Sequence, residues 1–342
     1  MPERVSVLMP VLNEESSVAA AVTSVLSQEA CEPEVLVVDG RSADRTRDTV
    51  GELIAAGARV RLLDNPAVII PSALNVALAA SDTEYVARVD GHAEISRDYL
   101  ARAIGHLTAD PGLAAVGGRR HGVARTRVGR AVAAVMSSRF GVGNSINHYA
   151  TEFQLTDHAS FGVYRRDAAV LVGGWDESLP VNEDVDFDHR LALAGYRIAY
   201  DPEMTIHWHV RETVGSVFRQ YRRYGRGKAA MVRKNGRDAV RLRHLAPPTL
   251  VGLSALALLV APVWPASLGF LALYLAGVIV IGAVTWWGSA DRRDTSLLAM
   301  PAAFAATHFG WGLGFLEGLL LGRTPAVASG STRTSTIVDV PS

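Results

Sequence analysis

Three short acidic motifs follow one another along the chain: Val37-Val38-Asp39-Gly40, Val89-Asp90-Gly91-His92 and Asn182-Glu183-Asp184. The first two each end an apolar run typical of a buried parallel strand, and carboxylates at such strand ends face the ligand crevice of an open sheet. The alternative is that Asp39 and Asp90 only cap the turns after their strands, as Asp does well. The ordered set favours one shared site for a phosphate-bearing ligand.

The elements that would position these carboxylates alternate between strand and helix. The predicted strands are Val5 to Met9, Val35 to Val38, Arg59 to Leu63 and Tyr85 to Val89, and the predicted helices are Glu14 to Gln28, Ser42 to Ala56 and Pro71 to Ala80. This order predicts an α/β fold with a Rossmann-like, mostly parallel sheet and right-handed crossovers. No Gly-x-Gly-x-x-Gly follows the first strand, which disfavours dinucleotide binding of the usual kind.

The charge of the 342-residue chain is zero overall but unevenly distributed. The segment 211–243 contains eleven basic residues but only two acidic ones, Glu212 and Asp238. The basic residues are Arg211, Arg219, Arg222, Arg223, Arg226, Lys228, Arg233, Lys234, Arg237, Arg241 and Arg243. Such a block beside an apolar tract predicts that the segment lies on the cytoplasmic side of a membrane and is attracted to anionic lipid headgroups. A solvated helix face or a nucleic-acid patch is the alternative. The single Cys31 excludes an intrachain disulfide, and the start of the chain predicts no cleaved signal.

The apolar tract after this block is long enough for membrane helices. Two helices are predicted at roughly 249–264 and 266–287 around the Pro262-Val263-Trp264-Pro265 turn, and a third apolar stretch at 297–321 either spans or lies in the interface. A buried hairpin of a soluble protein is the alternative. The predicted organisation is a catalytic domain over 1–230, a basic juxtamembrane segment over 231–248, a membrane region over 249–322 and a disordered tail over 323–342.

A family resemblance emerges from the motifs taken together. Met9-Pro10-Val11-Leu12-Asn13-Glu14-Glu15, Val38-Asp39-Gly40-Arg41-Ser42-Ala43-Asp44, Asp90-Gly91-His92, Val172-Gly173-Gly174-Trp175-Asp176-Glu177 and Asn182-Glu183-Asp184 resemble glycosyltransferase family 2, which has the GT-A fold. The resemblance covers residues 4 to 230 and extends to the membrane-bound glucosyltransferases of succinoglycan-type exopolysaccharide assembly. It implies an inverting hexosyltransferase that uses a nucleoside diphosphate sugar.

The resemblance also implies roles for individual residues. Asp39 would bind the uracil or ribose, with Pro10, Val11 and Glu14 lining the base pocket. Asp90 and His92 stand where the family's Asp-x-Asp motif holds Mg²⁺ or Mn²⁺ on the diphosphate. The His in the third place departs from that motif, and because imidazole suits Mn²⁺ better than Mg²⁺, both the metal and the ligating side chain stay open.

Asp184 matches the family's catalytic base, which takes the acceptor proton, and its neighbour Glu183 could exchange roles with it. The alternative is that Glu183, Asp184, Asp186 and Asp188 simply form an acidic first helical turn favoured by the helix dipole. Asn75 and Arg88 are further donor-site candidates.

The remaining candidates concern the acceptor, the diphosphate and the metal. Gln220-Tyr221-Arg222-Arg223-Tyr224 resembles the family's Gln-x-x-Arg-Trp element, so Gln220, Arg223 and Tyr224 are acceptor or diphosphate candidates; a surface helix is the alternative. His207 and His209 face the same way in a strand, and His207 would complete the metal shell. His158 and Trp175 would contact donor sugar or acceptor, although a structural histidine and a core tryptophan are the alternatives.

These expectations describe a multi-pass protein of the cell (inner) membrane with its catalytic domain in the cytoplasm. The expected acceptor is a lipid-linked saccharide or a polyprenyl phosphate, the expected cofactor is Mn²⁺ or Mg²⁺, and membrane lipids rather than nucleic acid are the expected surroundings. Two other classes stay open. One is a non-catalytic membrane-tethered scaffold that binds nucleotide sugar, and the other is a nucleotidyltransferase, which the lack of a Gly-rich, Lys-bearing phosphate loop disfavours.

Overall fold

The computed structural model describes residues 2–236, 244–289 and 291–322. The predicted tail over 323–342 lies outside these residues, as do Arg237, Asp238, Arg241 and Arg243 of the predicted basic segment.

Nine strands and twelve helices form the described part of the chain. The strands are β1 Glu3–Val11, β2 Cys31–Asp39, β3 Val60–Asp64, β4 Tyr85–Arg88, β5 Ala93–Ile95, β6 Leu113–Val123, β7 Gln154–Thr156, β8 Val163–Arg165 and β9 Arg197–His209. The helices are α1 Val18–Leu26, α2 Thr46–Ala55, α3 Ile70–Ala80, α4 Tyr99–Ala109, α5 Arg127–Met136, α6 Arg139–Val142, α7 Arg166–Leu171, α8 Glu183–Leu193, α9 Val214–Asn235, α10 Ala246–Val260, α11 Leu268–Trp287 and α12 Ala299–Leu321.

The sheet has the order β3-β2-β1-β4-β8-β6-β9-β5, and β7 pairs with β9. The four strands predicted from the sequence run parallel to one another, as expected. Beyond them the sheet is mixed, because β8 runs antiparallel to both β4 and β6 and because β5 and β7 run antiparallel to β9. Strands β6 and β9 again run parallel to each other. The sheet is therefore mixed, which corrects the expectation of a mostly parallel sheet.

Both faces of this sheet are buried, which explains why its strands read as continuous apolar runs. Successive side chains of β1 point to opposite faces, so Val7 and Met9 join a core with α1 and α4, and Leu8 joins a second core with α3 and α8. The carboxyl ends of β1, β2 and β4 consequently meet at one edge of the sheet, where Asp39 and the turn after Arg88 lie.

A third core connects the sheet domain to the carboxy-terminal helices. Val132 of α5, Trp208 of β9 and Val217 of α9 belong to the same buried cluster as Val278 of α11 and Phe304 of α12. The domain boundary predicted at residue 230 falls inside α9. The sheet domain therefore continues without a break into the helices that follow it.

Helices α9 and α12 pack backbone to backbone. A Cβ atom on Gly314 would lie 2.0 Å from the carbonyl oxygen of Arg222, and one on Gly225 would lie 2.2 Å from that of Trp311. Glu317 of α12 accepts hydrogen bonds from Arg222, at 2.9 Å from its Nε, and from the Nε of Arg226 at 2.8 Å. Part of the basic segment therefore packs against α12, whereas the sequence predicted that it contacts lipid headgroups.

We expect Gly314→Ala to lower the midpoint of thermal unfolding of the detergent-solubilised protein. The added methyl group meets backbone that cannot move aside, and overpacking of this kind costs about 1–3 kcal/mol. Gly277→Ala on α11 is the matched control, since its Cβ would meet nothing within 4 Å and alanine is the better helix former. Equal midpoints for the two variants would contradict close packing of α9 on α12.

One helix in the described ranges is long and apolar enough to cross a membrane. The segment Pro265–Trp287 has 23 residues, a mean hydropathy of 2.3 and 11% of its most apolar window buried. Helix α10 is apolar but has only 15 residues, and α12 buries one face, including Met300, Phe304 and Phe315, against its neighbours. The structure thus supports one candidate span, not the two or three that the sequence predicted.

Candidate active site

Asp39 lies buried at the end of β2, with 1% of its surface exposed. Its carboxylate accepts a hydrogen bond from the Arg47 guanidinium at 3.0 Å and from the backbone N–H of Ser42 at 3.2 Å. Arg47 also contacts Asp64 at the end of β3. This ion pair and the turn fix the carboxylate at the strand edge, as the first motif predicted.

The turn that carries the second motif rests directly on the end of β1. A Cβ on Gly91 would lie 2.6 Å from Cγ1 of Val11, so only glycine lets the Asp90–His92 turn approach β1 this closely. Pro10 is half-buried beside Val11. The structure therefore brings the first and second motifs together.

Arg88 connects the second motif to the third. Its Nε donates to Asp90 at 2.9 Å and its Nη1 donates to Glu183 at 2.9 Å. Burial disfavours ionisation of Asp90, but the charges of Arg88 and His92 hold the pKa of Asp90 below its ordinary value. The second and third acidic motifs thus form one cluster organised around a buried guanidinium, although 95 residues separate Arg88 from Glu183. Asp39 of the first motif pairs with Arg47 instead and does not line the cavity described below.

His92 is oriented by Glu14. Its Nδ1 lies 2.8 Å from Oε1 of Glu14, whose other oxygen accepts a hydrogen bond from Ser17 Oγ at 2.8 Å. Burial opposes protonation of the ring, but the Glu14 carboxylate and the charge of Asp90 raise the pKa of His92. Metal-bound histidines commonly donate their second ring nitrogen to a carboxylate in this way.

Asp90 and His92 can bind a divalent cation only if a bound substrate supplies further coordinating atoms. No group of three or more His, Cys, Asp or Glu side chains able to hold a metal occurs within 2–236, 244–289 and 291–322. Oδ2 of Asp90 is only loosely held by Arg88, at 3.5 Å, and both Asp90 and His92 line the cavity described below. Mg²⁺ is typically bound by one or two carboxylates together with substrate phosphates, and this donor set agrees with that pattern.

Glu183 and Asp184 form the first turn of α8, after Asn182 in the left-handed conformation with φ 64°. Burial, followed by the charge of Asp184, raises the pKa of Glu183 to about 7. Burial also disfavours ionised Asp184, but the charges of His158 and Arg88 outweigh it and lower the pKa of Asp184. At neutral pH Asp184 is therefore ionised and able to accept a proton, whereas Glu183 is only partly ionised and is paired with Arg88.

His158 lies between two carboxylates of α8. Its Nδ1 is 2.7 Å from Oδ2 of Asp188, and its Nε2 is 3.7 Å from Oδ2 of Asp184. The structure therefore places His158 beside the predicted base.

A cavity of about 750 Å³ opens beside these groups and continues towards the carboxy-terminal helices. Its charged end includes Arg88, Asp90, His92, His158, Glu183 and Asp184. Its opposite end includes Phe140, Leu250, Tyr274, His308 and Trp311, from α6, α10, α11 and α12. One continuous space thus joins the acidic cluster to helices that carry exposed apolar side chains.

Helix α9 brings the third set of candidates to the same cavity. Gln220, Arg223 and Tyr224 line it, as helical spacing allows, and Gln220 donates to the hydroxyl of Tyr224 at 3.1 Å. Arg222 points instead to Glu317. The buried Nε of Arg223 has no hydrogen-bond partner among the described residues, which makes this side chain available to an anion.

The structure does not bring His207 to the cluster. In β9 the side chains of His207 and His209 are exposed, whereas Trp208 between them lines the cavity. The ring of His207 stacks on His121, with centroids 5.6 Å apart. The two imidazoles do share a face of the strand, as predicted, but that face is the one away from Asp90.

Asn75 and Trp175 contact each other and not the cavity. Nδ2 of Asn75 donates to the carbonyl oxygen of Trp175 at 2.8 Å, and Oδ1 accepts from its backbone N–H at 2.8 Å. Trp175 is 2% exposed and stacks on Phe187 at 4.3 Å between centroids. Asn75 therefore holds the glycine-rich loop that ends at Trp175. Trp175 itself is a core residue, which was the alternative considered from the sequence.

Two residues at the site were not singled out from the sequence. Asp188 was considered only as part of an acidic helical turn, yet its spacing of four from Asp184 puts both on one face of a helix, which was the available signal. Arg120 lies with its guanidinium 4.2 Å over the Trp208 ring, lines the cavity and has no partner for its buried Nε in the described part of the chain. No motif contains it.

Comparison with known proteins gives consistent results. The model of glycosyl transferase family 2 matches residues 6–169. Succinoglycan biosynthesis protein ExoA of Rhizobium meliloti (strain 1021) is 30% identical over 322 residues, which is 92% of this chain and 94% of that protein. A dolichyl N-acetyl-alpha-D-glucosaminyl phosphate 3-beta-D-2,3-diacetamido-2,3-dideoxy-beta-D-glucuronosyltransferase of Methanococcus voltae is 22% identical over 242 residues, 67% of this chain and 74% of that protein.

Among solved structures, the mannosyltransferase PcManGT of Pyrobaculum calidifontis, in complex with GDP-Man and Mn²⁺, superposes with a TM-score of 0.61 at 23% identity. The match covers 91% of this chain and 87% of that one. This similarity shows a GT-A type of fold for the sheet domain.

Proposed function

Because the chain belongs to glycosyl transferase family 2, we propose that it is an inverting, metal-dependent hexosyltransferase acting at the cytoplasmic face of the cell membrane. It moves a sugar from a nucleoside diphosphate donor, UDP-linked in our proposal, to a lipid-linked saccharide or a polyprenyl phosphate. The observation that carries the proposal is the single cavity that joins the Asp90–Arg88–Glu183–Asp184 cluster to the apolar helices.

The donor half of the proposal rests on the strand edge. Asp39 is proposed to accept a hydrogen bond from the nucleoside; its side chain is buried against Arg47 and does not line the cavity, so the donor would have to displace part of this contact. Pro10, Val11 and Glu14 stand beside it on β1 and the loop after it. PcManGT was solved with GDP-Man and Mn²⁺, and this chain carries a carboxylate and an imidazole, Asp90 and His92, at the turn after β4. A bound divalent cation there would neutralise the developing charge of the diphosphate leaving group.

Asp184 is the proposed general base. One of its oxygens, Oδ1, accepts the backbone N–H of Val185 at 2.8 Å, which leaves Oδ2 for an acceptor hydroxyl. As the hydroxyl O–H bond breaks, its proton passes to Oδ2, the oxygen forms a bond to the anomeric carbon, and the bond from that carbon to the diphosphate breaks. Attack opposite the leaving group inverts the configuration. Arg223 and Arg120, whose Nε atoms beside the cavity have no partner within 2–236, 244–289 and 291–322, are proposed to bind phosphate oxygens.

The acceptor half of the proposal rests on the far end of the cavity. Phe140, Leu250, Tyr274 and Trp311 line it, and neighbouring side chains such as Leu259 and Leu273 are more than 70% exposed. Apolar exposure of this extent marks a surface that contacts lipid or protein. With α11 as the membrane segment, a lipid-linked acceptor can enter the cavity from the bilayer side. Succinoglycan biosynthesis by the Rhizobium relative agrees with a role in exopolysaccharide assembly.

The test is release of nucleoside diphosphate by the full-length, detergent-solubilised protein. A panel of UDP- and GDP-sugars is supplied with Mn²⁺ or Mg²⁺, with and without a bacterial membrane lipid extract. We expect release that requires one donor, a metal and the lipid. Release of nucleoside diphosphate that does not depend on lipid would contradict the proposed lipid-linked acceptor. Absence of release, together with absence of donor binding by calorimetry, would contradict the proposed enzymatic activity.

Asp90→Asn is expected to weaken donor binding in the presence of Mn²⁺ by at least about 10-fold, the lower end of the effects seen on changing groups at metal sites. An amide is a poorer ligand for a hard cation than a carboxylate is, so donor affinity should also lose most of its dependence on metal concentration. Calorimetry of donor binding at several Mn²⁺ concentrations measures both effects. Asp82→Asn is the control, since its exposed carboxylate pairs with Arg4 and does not line the cavity; an equal loss in that variant would count against Asp90 as a metal ligand.

A further inference from the structure

His158 is held between two carboxylates, and the mechanism above uses only one of them. Asp184 and Asp188 are four residues apart on α8, so both project from the same face of the helix. The imidazole lies between this face and the loop before β8, with Nδ1 at 2.7 Å from Asp188 and Nε2 at 3.7 Å from Asp184.

Asp188 has no exposed surface and cannot meet a substrate. Its Oδ2 accepts hydrogen bonds from Nδ1 of His158 at 2.7 Å and from the backbone N–H of Ala159 at 2.8 Å. A buried carboxylate is costly unless it is paired. Burial raises the pKa of Asp188, and the hydrogen bond and charge of His158 oppose this effect, so His158 is its charge partner. These two bonds hold the ring in one orientation, in which Nε2 faces Asp184.

The contact at the other side of the ring has a different character. At 3.7 Å, Nε2 of His158 and Oδ2 of Asp184 are too far apart for a hydrogen bond, so the ring acts on Asp184 through its charge. The other oxygen of Asp184 is occupied by the N–H of Val185. Consequently the imidazole faces the same oxygen that is free for the acceptor hydroxyl.

We propose that Asp188 and His158 are positioning residues for the base: Asp188 fixes the imidazole, and the imidazolium keeps Asp184 ionised with Oδ2 directed into the cavity. This inference rests on the proposed function, because it assigns a partner to the base of that reaction. It does not require His158 to bind the acceptor or a metal.

The charges around His158 support a cationic ring. Asp184 and Asp188 face it from α8, Asp157 from its own loop, and His148 from the turn before β7. Burial opposes protonation, but the three carboxylates outweigh it and raise the pKa of His158.

The same charges define the pH range over which the pair works. Below the raised pKa of His158 the ring is cationic, and its charge, with those of Arg88 and Arg120, lowers the pKa of Asp184. Support for the ionised base is therefore present from the low pKa of Asp184 up to the pKa of His158, and is lost above it.

The arrangement also returns the base to its starting state. When Asp184 has taken the acceptor proton it is neutral, and a cation beside a neutral carboxylic acid favours loss of that proton. The proton leaves to water through the cavity once the product has departed, and Asp188 retains the imidazolium throughout. No other proton carrier is needed for turnover.

The test compares His158→Gln and Asp188→Asn with a matched pair elsewhere. Nε2 of His106 lies 2.9 Å from Oδ2 of Asp201, which is also buried, but neither residue lines the cavity. His106→Gln and Asp201→Asn therefore report what the loss of a similar His–Asp contact does to folding alone. All four full-length variants are assayed with the donor and lipid extract that support release by the unsubstituted protein.

For His158→Gln and Asp188→Asn we expect kcat to fall about 10- to 100-fold, by analogy with outer-shell partners that orient a functional group. Donor affinity by calorimetry should stay within about twofold, because neither side chain is assigned to the donor. In His158→Gln the acid limb of kcat/KM against pH should move up by about one unit, since removal of a neighbouring cation raises the pKa of a carboxyl by that amount or more. The control variants should show neither change.

Three results would overturn the proposal. An unchanged kcat with a raised KM for the lipid would make His158 an acceptor-binding residue. Weaker, less metal-dependent donor binding would make it a metal ligand. Equal losses of activity in the His106 and His158 variants would make it structural. Each of these requires an active unsubstituted protein, so failure of the proposed glycosyl transfer is recognised separately, by absence of release from that protein.

Discussion

Asp184→Asn should lower glycosyl transfer by about 10²–10⁴-fold, the usual contribution of a positioned general base. The amide has nearly the same size and can still accept the backbone N–H of Val185, so the α8 turn should be retained. Donor binding by calorimetry should be nearly unchanged, because Asp90 and Asp39 are not altered. The measurement is the initial rate of nucleoside diphosphate release at saturating donor and lipid.

Asp48→Asn is a suitable control for this experiment, since Asp48 also stands in the first turn of a helix but does not line the cavity. If the Asp184→Asn variant still catalyses glycosyl transfer at close to the normal rate, the general base would be Glu183 instead. In the unsubstituted protein the rate should stay high into mildly acidic pH, because the pKa of Asp184 is lowered. Loss of rate only as pH rises through neutrality would instead point to a protonated group.

Arg88→Met should destabilise the folded protein by about 3–5 kcal/mol, the typical cost of breaking a buried ion pair by removing one partner. Methionine matches the length of the side chain but leaves Asp90 and Glu183 buried without their cation. Thermal or denaturant unfolding of the detergent-solubilised variant measures the loss. Adding Glu183→Gln should restore part of it, because one of the two unpaired charges is removed.

Arg4→Met provides the comparison, since Arg4 pairs with Asp82 at 3.1 Å while both side chains are more than half exposed; such pairs contribute only about 0–1 kcal/mol. The defect in Arg88→Met should also depend on pH. Without the guanidinium, the pKa values of both carboxyls rise above their values in the unfolded chain. Stability is then lost as pH rises through these pKa values and regained in acid, where both groups are neutral. A pH-independent defect would count against this explanation.

The amino-terminal half of the fold followed from local patterns. Apolar runs bounded by turns identified β1 to β4, and Asp39 and Asp90 at their ends could be placed at one sheet edge because parallel strands share their direction. Helix α1 begins at Val18 rather than the predicted Glu14, since Glu14 is held in the preceding turn by Thr46 and His92. Beyond β4, short strands such as β7 and β8 carry no pattern distinctive enough to reveal antiparallel pairing.

Details of the site depended on contacts distant in sequence. A strand period of two correctly put His207 and His209 on one face, but only the pairing of β9 with β5 and β6 decides that Trp208, not His207, faces the cavity. Asn75 has the amide expected of a donor-binding residue, yet the loop ending at Trp175, 100 residues later, uses both ends of it. Charge count likewise could not show that Arg222 faces Glu317.

The hydrophobic core shared by α5, α9, α11 and α12 has a practical consequence for protein production. A truncation at residue 230, the boundary suggested by the family motifs, would remove Phe304 and its neighbours and uncover Val217 and Trp208. It would also leave the glycine-lined surface of α9 without α12. A shortened fragment would therefore be expected to aggregate, and biochemical work on this enzyme calls for the whole polypeptide in detergent or nanodiscs.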